Sequence, residues 1–323
     1  MSTDRTQNSM SSVLIDQQFR DRAENTEHDA VSACNHALET HHLTFQYANC
    51  APVLRDVSLT VQKGQRVGII GHNGCGKTTL FMLLCGVLTP TAGAVNLLGK
   101  PVEPGQFRPE VGMLFQDPDD QLFSPSVRDD IAFGPQNMGA DPAVVAAHVN
   151  RALKMTGMEP LADRTPHHLS GGEKQMVAIA GLLAMQPSVV MYDEPTASLD
   201  LRTRRRLIGF LQKSSETLLI SSHDLEFILE VCDRVLLIDK GQIIADGDPL
   251  DIMGDQALME THGLEKPHSL IPHISPHHRR LPKAKAPITI DKDNQPQPER
   301  TPINNDAHSE QNVDATQGAS PYS

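Results

Sequence analysis

The sequence lacks tryptophan, has only five cysteines and carries fewer basic than acidic residues. No apolar run approaches the roughly 20 residues that a membrane-spanning helix needs, and residues 1–20 have no apolar stretch of the kind found in secretory signals. An odd number of cysteines without paired spacing argues against a disulfide framework and for a reducing compartment. The net charge of −12 disfavours nucleic acid as the main partner, because binding to a nucleic-acid backbone relies on lysine and arginine.

Composition divides the 323 residues into three parts. Residues 1–40, with 3 basic and 7 acidic residues, show no sustained periodicity, and we expect a disordered N-terminal extension. Residues 266–323 contain 9 of the 23 prolines and several histidines, and we expect a disordered tail because such a segment buries too little apolar surface to offset its ordering entropy. Residues 41–265 hold nearly all the apolar clusters and are predicted to form the folded domain.

Short apolar runs alternate with helical periodicity in the predicted domain. Strands buried on both faces of a parallel sheet are predicted at residues 66–70, 188–191 and 218–220. Leucines and a valine between Leu80 and Leu88 repeat at helical spacing, residues 57–61 alternate as in a half-buried antiparallel strand, and residues 235–244 are typical of a hairpin. We therefore predict an α/β fold with a mixed sheet and an antiparallel β edge.

A glycine-rich segment joins the first predicted buried strand to a predicted helix. Residues 71–78, GHNGCGKT, match the pattern G-x-x-x-x-G-K-[ST], in which backbone N–H groups and a helix N-terminus surround phosphate oxygens. Lys77 is predicted to reach the β- and γ-phosphates, and the Thr78 hydroxyl to ligate Mg²⁺. The predicted nucleotide-binding residues here are Gly71, His72, Asn73, Gly74, Cys75, Gly76, Lys77, Thr78 and Thr79.

A second buried strand ends in two adjacent carboxylates, Asp193 and Glu194. Ligands of open α/β sheets bind at this carboxyl edge. Asp193 is predicted to hold Mg²⁺, directly or through water, and Glu194 to orient and deprotonate the attacking water. Alone, such a pair is also typical of an ordinary strand-end turn, but a phosphate loop lies 116 residues upstream of Asp193.

Residues 169–175, LSGGEKQ, predict a second phosphate-binding helix start. Ser170 and Glu173 have the spacing of a capping box. Gly171 and Gly172 leave the backbone N–H groups bare for a close phosphate approach.

With Gln116, the segment YDEPTASLD at 192–200 and His223, these motifs resemble the ATP-binding subunits of ABC transporters throughout residues 41–265. The resemblance implies an ABC-type P-loop ATPase that uses ATP and Mg²⁺ and has a helical subdomain at about residues 117–170. It also implies two subunits packed head to tail, with each ATP between one phosphate loop and the other subunit's LSGG segment.

The same resemblance implies roles for further residues. These are adenine stacking by Tyr47, sensing of Mg²⁺ and the γ-phosphate by Gln116, γ-phosphate binding across the dimer by Ser170, Gly171 and Gly172, communication across the dimer by Asp200, and a catalytic γ-phosphate contact by His223. The chain departs from the usual family pattern at Tyr192, Glu173 and Met176, where an aliphatic residue, glutamine and arginine are commoner.

Residues 111–123, 130–135 and 168–180 resemble the energy-coupling-factor branch, especially cobalt- and nickel-importer ATPases. In that branch a pair of ATPases binds the coupling helices of an integral membrane scaffold protein, and a separate membrane protein captures the substrate. The resemblance implies a peripheral ATPase at the cytoplasmic face of the plasma membrane, in a homo- or heterodimer, that powers import of cobalt or nickel.

Two alternatives stay open in the sequence. The substrate could be a vitamin such as biotin or cobalamin. The chain could also be a soluble ABC ATPase acting on ribosomes or DNA, although its acidic charge and the short 54-residue interval from Gln116 to Ser170 weigh against this.

Overall fold

The computed structural model describes residues 35–271; the rest of the expected extension and tail, residues 1–34 and 272–323, lies outside the described part. The strands are β1 (His36–Gln46), β2 (Pro52–Gln62), β3 (Arg66–Ile70), β4 (Ala92–Leu97), β5 (Lys100–Pro101), β6 (Val111–Leu114), β7 (Val189–Asp193), β8 (Thr217–Ser221), β9 (Arg234–Asp239) and β10 (Gln242–Gly247). The α-helices are α1 (Lys77–Leu84), α2 (Val127–Asn137), α3 (Pro142–Thr156), α4 (Gly171–Met185), α5 (Leu201–Leu211), α6 (Leu225–Val231), α7 (Pro249–Gly254) and α8 (Gln256–Thr261).

The expected domain boundary at residue 41 falls inside β1, which begins at His36. Ala37 and Leu38 of this strand are buried in the hydrophobic core. They lie among polar residues, so the composition of residues 1–40 did not indicate a strand there. At the other end a 3-10 turn at His268–Leu270 extends the described structure past residue 265, and Ser269 donates hydrogen bonds to Glu226 of α6.

Two sheets form the framework. The first is antiparallel, with the strand order β2-β1-β4-β5, and the predicted alternation at Val57, Leu59 and Val61 is confirmed in β2. The second has the order β10-β9-β3-β8-β7-β6, in which β9, β3, β8, β7 and β6 run parallel. Strand β10 pairs antiparallel with β9, which confirms the predicted hairpin and the antiparallel edge.

The parallel sheet is buried on both faces, as predicted for its central strands. On β7, Val189 and Met191 pack with α1 and the first sheet, whereas Val190 and Tyr192 pack with the helices on the opposite face. Burial raises the pKa of the Tyr192 phenol far above its ordinary value. All five residues of β7 and of β8 are buried, so the sheet separates two apolar cores.

The helical subdomain lies between β6 and β7 in sequence. It contains α2 and α3, and α4 packs against both, so the helical layer continues past the expected limit at residue 170. Met176 of α4 is only 1% exposed and belongs to this core. No helix among residues 35–271 has the length and apolar character needed to cross a membrane.

Helix α1 ends earlier than the leucine spacing predicts. It stops at Leu84, because Gly86 adopts a left-handed φ of +74° that a continuing helix does not allow. Val87, at helical spacing in the sequence, is 60% exposed.

Leu219 lies at the centre of the parallel sheet, on β8, with no exposed surface. We expect Leu219→Ala to lower the free energy of unfolding by about 2–5 kcal/mol, because it removes apolar contacts and leaves a cavity. Urea unfolding followed by circular dichroism measures this value. Val87→Ala is the matched control and should change stability by less than about 0.5 kcal/mol; equal effects of the two variants would contradict the assigned packing.

Candidate active site

The segment at residues 71–78 forms the turn between β3 and α1, so the predicted strand–loop–helix context is present. Gly71 has a φ of +155°, and a Cβ there would lie 2.2 Å from the backbone oxygen of Ile238 at the end of β9. Gly76 immediately precedes α1 with a φ of +111° and no side-chain cap. The loop therefore packs closely on β9 and leaves the N-terminus of α1 open to a ligand.

Lys77 is held inside the loop, with 7% of its surface exposed. Its Nζ donates to the carbonyl oxygens of Gly71 at 2.9 Å and of His72 at 3.3 Å. Two carbonyl oxygens are weaker partners for an ammonium group than a phosphate. The side chain is thus positioned at the loop and can exchange these carbonyls for phosphate oxygens.

Asp193 connects three segments at the carboxyl edge of the sheet. It is 1% exposed at the end of β7. Thr78 Oγ1 donates to its Oδ2 at 2.6 Å, and Ser221 Oγ at the end of β8 donates to its Oδ1 at 2.5 Å. Hydroxyl and carboxylate oxygens are the ligands that Mg²⁺ prefers.

The side-chain oxygens at this site are suitable ligands for Mg²⁺ when a nucleotide is also bound. Thr78, Asp193 and Gln116 line the same cavity. Residues 35–271 contain no group of three His, Cys, Asp or Glu side chains that could hold a metal by themselves. Mg²⁺ commonly takes only one or two protein ligands and completes its shell with phosphate and water.

Glu194 follows Asp193 but contacts different partners. It has a φ of +49°, and its backbone N–H donates to the oxygen of Ser221 at 3.1 Å. Its Oε2 accepts from the backbone N–H of His223 at 3.0 Å. Its Oε1 lies 3.2 Å from His223 Nε2, but no aligned hydrogen bond reaches this buried oxygen. One oxygen is thus anchored, and the other is available to accept a proton.

A cavity of about 220 Å³ brings most of the predicted residues together. It is lined by Val53, Asn73, Gly74, Gly76, Lys77, Thr78, Thr79, Gln116, Asp193, Glu194 and His223. Gly71, His72 and Cys75 do not line it. Cys75 is buried beneath the loop, and burial raises the pKa of its thiol, so it is not a reactive thiolate.

Tyr47 lies beside the loop, with its hydroxyl 3.4 Å from Thr79 Oγ1 and its ring packed edge-on against Phe45. It is 42% exposed, so a ring face is accessible for stacking.

Ser170, Gly171 and Gly172 lie outside the lining of the phosphate cavity. The predicted capping box is confirmed: Glu173 N–H donates to Ser170 Oγ at 3.4 Å, and Ser170 N–H donates to Glu173 Oε2 at 2.8 Å. The hydrogen bonds that the Ser170 backbone N–H and then its hydroxyl donate to the Glu173 carboxylate hold the pKa of Glu173 below its usual value. Within one chain, therefore, the two predicted phosphate-binding segments do not meet.

Asp200 caps the start of α5, accepting from the backbone N–H groups of Arg202 and Thr203, both at 2.8 Å. These bonds, chiefly that from Thr203, lower the pKa of Asp200.

Val53 and Ser221 belong to the site but were not predicted from the sequence. Ser221 ends a predicted buried strand, so the rule that ligands bind at the carboxyl edge could have identified it. Nothing in the sequence placed Val53 at the cavity.

Comparison with known proteins places this chain in a family. The family described as ABC transporter matches residues 54–197. A putative ABC transporter ATP-binding protein of Synechocystis is 63% identical over 234 residues, which cover 72% of this chain and 82% of that protein. The energy-coupling factor transporter ATP-binding protein EcfA of Methanothermobacter thermautotrophicus is 44% identical over 240 residues, covering 72% and 77% of the two chains.

A solved structure agrees with these relatives. The cbiO1 structure from Clostridium perfringens, described as part of the ABC transporter complex cbiONQ, superposes with a TM-score of 0.63 and 34% identity over 70% of this chain and 94% of that one. These relatives support the transport branch over a soluble ABC ATPase that acts on ribosomes or DNA. The chain belongs to the ABC transporter ATP-binding proteins of the energy-coupling-factor type, ATPase subunits that couple ATP hydrolysis to transport.

Proposed function

We propose that this chain is a peripheral ATPase subunit that powers import of cobalt or nickel ions through separate integral membrane proteins, from the cytoplasmic face of the plasma membrane. The observation that carries the proposal is the likeness to cbiO1, which covers 94% of that chain at 34% identity. Its partners are a second ATPase subunit, a membrane scaffold protein and a membrane protein that captures the substrate.

ATP binding rearranges contacts that already exist in the loop. Lys77 exchanges the carbonyls of Gly71 and His72 for β- and γ-phosphate oxygens. Thr78, Asp193 and Gln116 are the residues that hold Mg²⁺, which when bound neutralises charge on the phosphates. Tyr47, whose hydroxyl lies 3.4 Å from Thr79 Oγ1, stacks on the adenine.

Hydrolysis uses the free oxygen of Glu194. Oε2 is anchored by the His223 backbone, so Oε1 has a defined position from which to orient water and accept its proton. The His223 side chain is 43% exposed, which leaves its imidazole able to turn to the γ-phosphate. Asp193 has a different role, because its carboxylate faces Thr78 and Ser221 on the Mg²⁺ side of the site.

A second subunit completes each site. Ser170 and Gly171 are exposed at the start of α4 and are not part of the cavity lining of their own chain. Two ATPase subunits packed head to tail bring this helix start to the partner's γ-phosphate, where its N–H groups and positive end stabilise the added charge. The arrangement makes hydrolysis depend on closure of the dimer.

An apolar groove that includes Gln121 and Phe123 is the proposed contact with the membrane scaffold. It has a volume of about 220 Å³ and is lined by Gln121, Leu122, Phe123, Asp130, Phe133, Gly134, Val177, Ala178, Gly181, Leu182 and Met185. The rings of Phe123 and Phe133 pack edge to face at 4.8 Å while 62% and 47% of the two residues stay exposed. A helix of the scaffold would remove this apolar surface from water.

A short path links the groove to both phosphate-binding segments. The 3-10 turn at Pro118–Asp120 follows Gln116. Lys174 in the first turn of α4 donates to both carboxylate oxygens of Asp119 in that turn, at 2.6 and 2.9 Å. When Gln116 moves on nucleotide binding, this turn moves with it and shifts both the groove and helix α4, which begins in the LSGG segment.

We expect Glu194→Gln to lower the ATPase rate at saturating ATP by about 100-fold or more, because glutamine cannot accept the proton of water. ATP binding should persist, since the amide keeps the shape of the side chain. The rate at which inorganic phosphate is produced measures hydrolysis, and an equilibrium titration measures ATP affinity. Glu103→Gln, on an exposed glutamate, is the matched control. A Glu194→Gln rate above one tenth of wild type would contradict the assigned role.

Uptake of radiolabelled cobalt and nickel tests the proposed function. In a strain lacking this chain we expect uptake to fall, and to be restored by the wild type but not by Lys77→Ala, which loses the phosphate contact. Phe133→Glu should bind ATP yet fail to restore uptake, because a carboxylate in the groove opposes docking. Phe107→Glu, at an exposed phenylalanine outside the groove, should restore it.

Normal uptake of both metals without the chain would overturn the metal substrate. Biotin and cobalamin uptake in the same strains then tests the vitamin alternative.

A further inference from the structure

An arginine–carboxylate pair joins helix α5 to the segment that carries His223. Arg204 lies near the start of α5, and its Nε and Nη2 donate to Asp224 Oδ2 at 2.6 Å and to Oδ1 at 3.1 Å. Two parallel N–H bonds to one carboxylate fix its orientation as well as its distance. Because Asp224 directly follows His223 in the sequence, the pair holds the backbone next to a residue of the site.

The guanidinium group of Arg204 is itself held by several contacts. Its side chain is 15% exposed. Its Cζ lies 5.9 Å from the centre of the ring of Phe227, which has no exposed surface, and its Nη1 donates to Glu230 Oε1 at 3.5 Å. Its backbone N–H donates to the oxygen of Asp200 at 2.8 Å. The group that holds Asp224 is therefore fixed to both helices.

Asp224 makes two further contacts that fix its own position. Its Oδ1 accepts from the backbone N–H of Phe227 at 2.9 Å and so caps the start of α6. Its backbone N–H donates to Ser222 Oγ at 3.1 Å, and this hydroxyl lies 3.4 Å from Thr196 Oγ1. Residues 222–224 are thus connected to α5, to α6 and to the turn that follows Glu194.

This short segment supplies two contacts of the site. The backbone N–H of His223 anchors Glu194 Oε2 at 3.0 Å, and the His223 side chain lines the cavity. Neither Arg204 nor Asp224 lines that cavity. A shift of residues 222–224 would therefore displace the anchor of Glu194 and the imidazole of His223, while the contacts of the phosphate loop stay as they are.

We propose that Arg204 is a positioning residue for hydrolysis: its two hydrogen bonds to Asp224 fix the backbone position of His223. The anchored oxygen of Glu194 is thereby fixed as well. The pair acts on the hydrolytic step and leaves ATP binding to the phosphate loop. The inference rests on the roles proposed above for His223 and Glu194, and it does not depend on which substrate is transported.

Steady-state ATP hydrolysis and equilibrium MgATP binding by the full chain, compared at one protein concentration, test the proposal. We expect Arg204→Ala to lower kcat by about two- to thirtyfold, the scale of coupling through a network of contacts. The Kd for MgATP should stay at the wild-type value. A merely structural role would lower the melting temperature and leave the kcat of the folded protein unchanged, so this kcat would refute the proposal.

Arg205→Ala is the matched control. Arg205 follows Arg204 on α5, is 67% exposed at its side chain and pairs with Glu230. Glu230 lies near the end of α6, whereas Asp224 lies at its start. The control therefore removes an arginine contact between the same two helices, but at the other end of α6, and should keep the wild-type kcat.

Asp224→Asn is a second variant that spares the helix cap. Asparagine also caps helices, so its amide oxygen keeps the bond to the Phe227 N–H. Its NH₂ group then replaces the oxygen to which Arg204 Nε donates, and two donors cannot pair. We expect kcat to fall as in Arg204→Ala, with native circular dichroism. The double variant should be no slower than the slower single variant, because both remove one contact. Multiplied losses in the double variant would contradict the proposed pair.

His223→Ala separates this inference from the proposed mechanism, and we expect it to lose most of the hydrolysis. A loss in His223→Ala with wild-type kcat in both Arg204→Ala and Asp224→Asn would overturn the positioning role of Arg204 alone. Wild-type kcat in His223→Ala would instead overturn the role proposed for His223, and this inference with it.

Discussion

The site depends on the hydrogen bonds that the buried Asp193 carboxylate accepts. This carboxylate joins the first residues of α1 to the ends of β7 and β8 through the hydroxyls of Thr78 and Ser221. A carboxylate with 1% exposure is costly to bury unless its oxygens are hydrogen-bonded, so these contacts hold the three segments together before any nucleotide arrives. In the proposed mechanism, nucleotide binding replaces some of these hydrogen bonds without moving the three segments apart.

The sheet order explains why the remaining groups converge. Strand β3 lies between β9 and β8, so the loop that leaves it is bordered by Ile238 and Asp239 on one side and by Ser221 on the other. Glu194 continues from β7, and its left-handed backbone separates its contacts from those of Asp193. Asp193 and Glu194, for which we propose metal-binding and water-activating roles, are thus adjacent in sequence but have separate partners.

Much of this arrangement can be predicted from local sequence. Three features are each encoded within a few neighbouring residues: the loop at residues 71–78, the capping box of Ser170 and Glu173, and the hairpin of β9 and β10. The start of β1 and the end of α1 could not be predicted in this way, because burial by distant strands and the backbone of Gly86 decide them. The position of Val53 at the cavity and the hydrogen bonds of Asp239 bring together residues that are far apart in the chain. The local periodicity of a sequence carries no information about such contacts.

In the proposed mechanism, Asp193 and Thr78 exchange their mutual hydrogen bond for a shared Mg²⁺ when ATP binds. Calorimetric titration of ATP with Mg²⁺ and with a chelator, for wild type and Asp193→Asn, tests it most directly. We expect Mg²⁺ to strengthen ATP binding to the wild type, and the substitution to reduce this gain by about tenfold or more. An equal Mg²⁺-dependent gain in both proteins would contradict it.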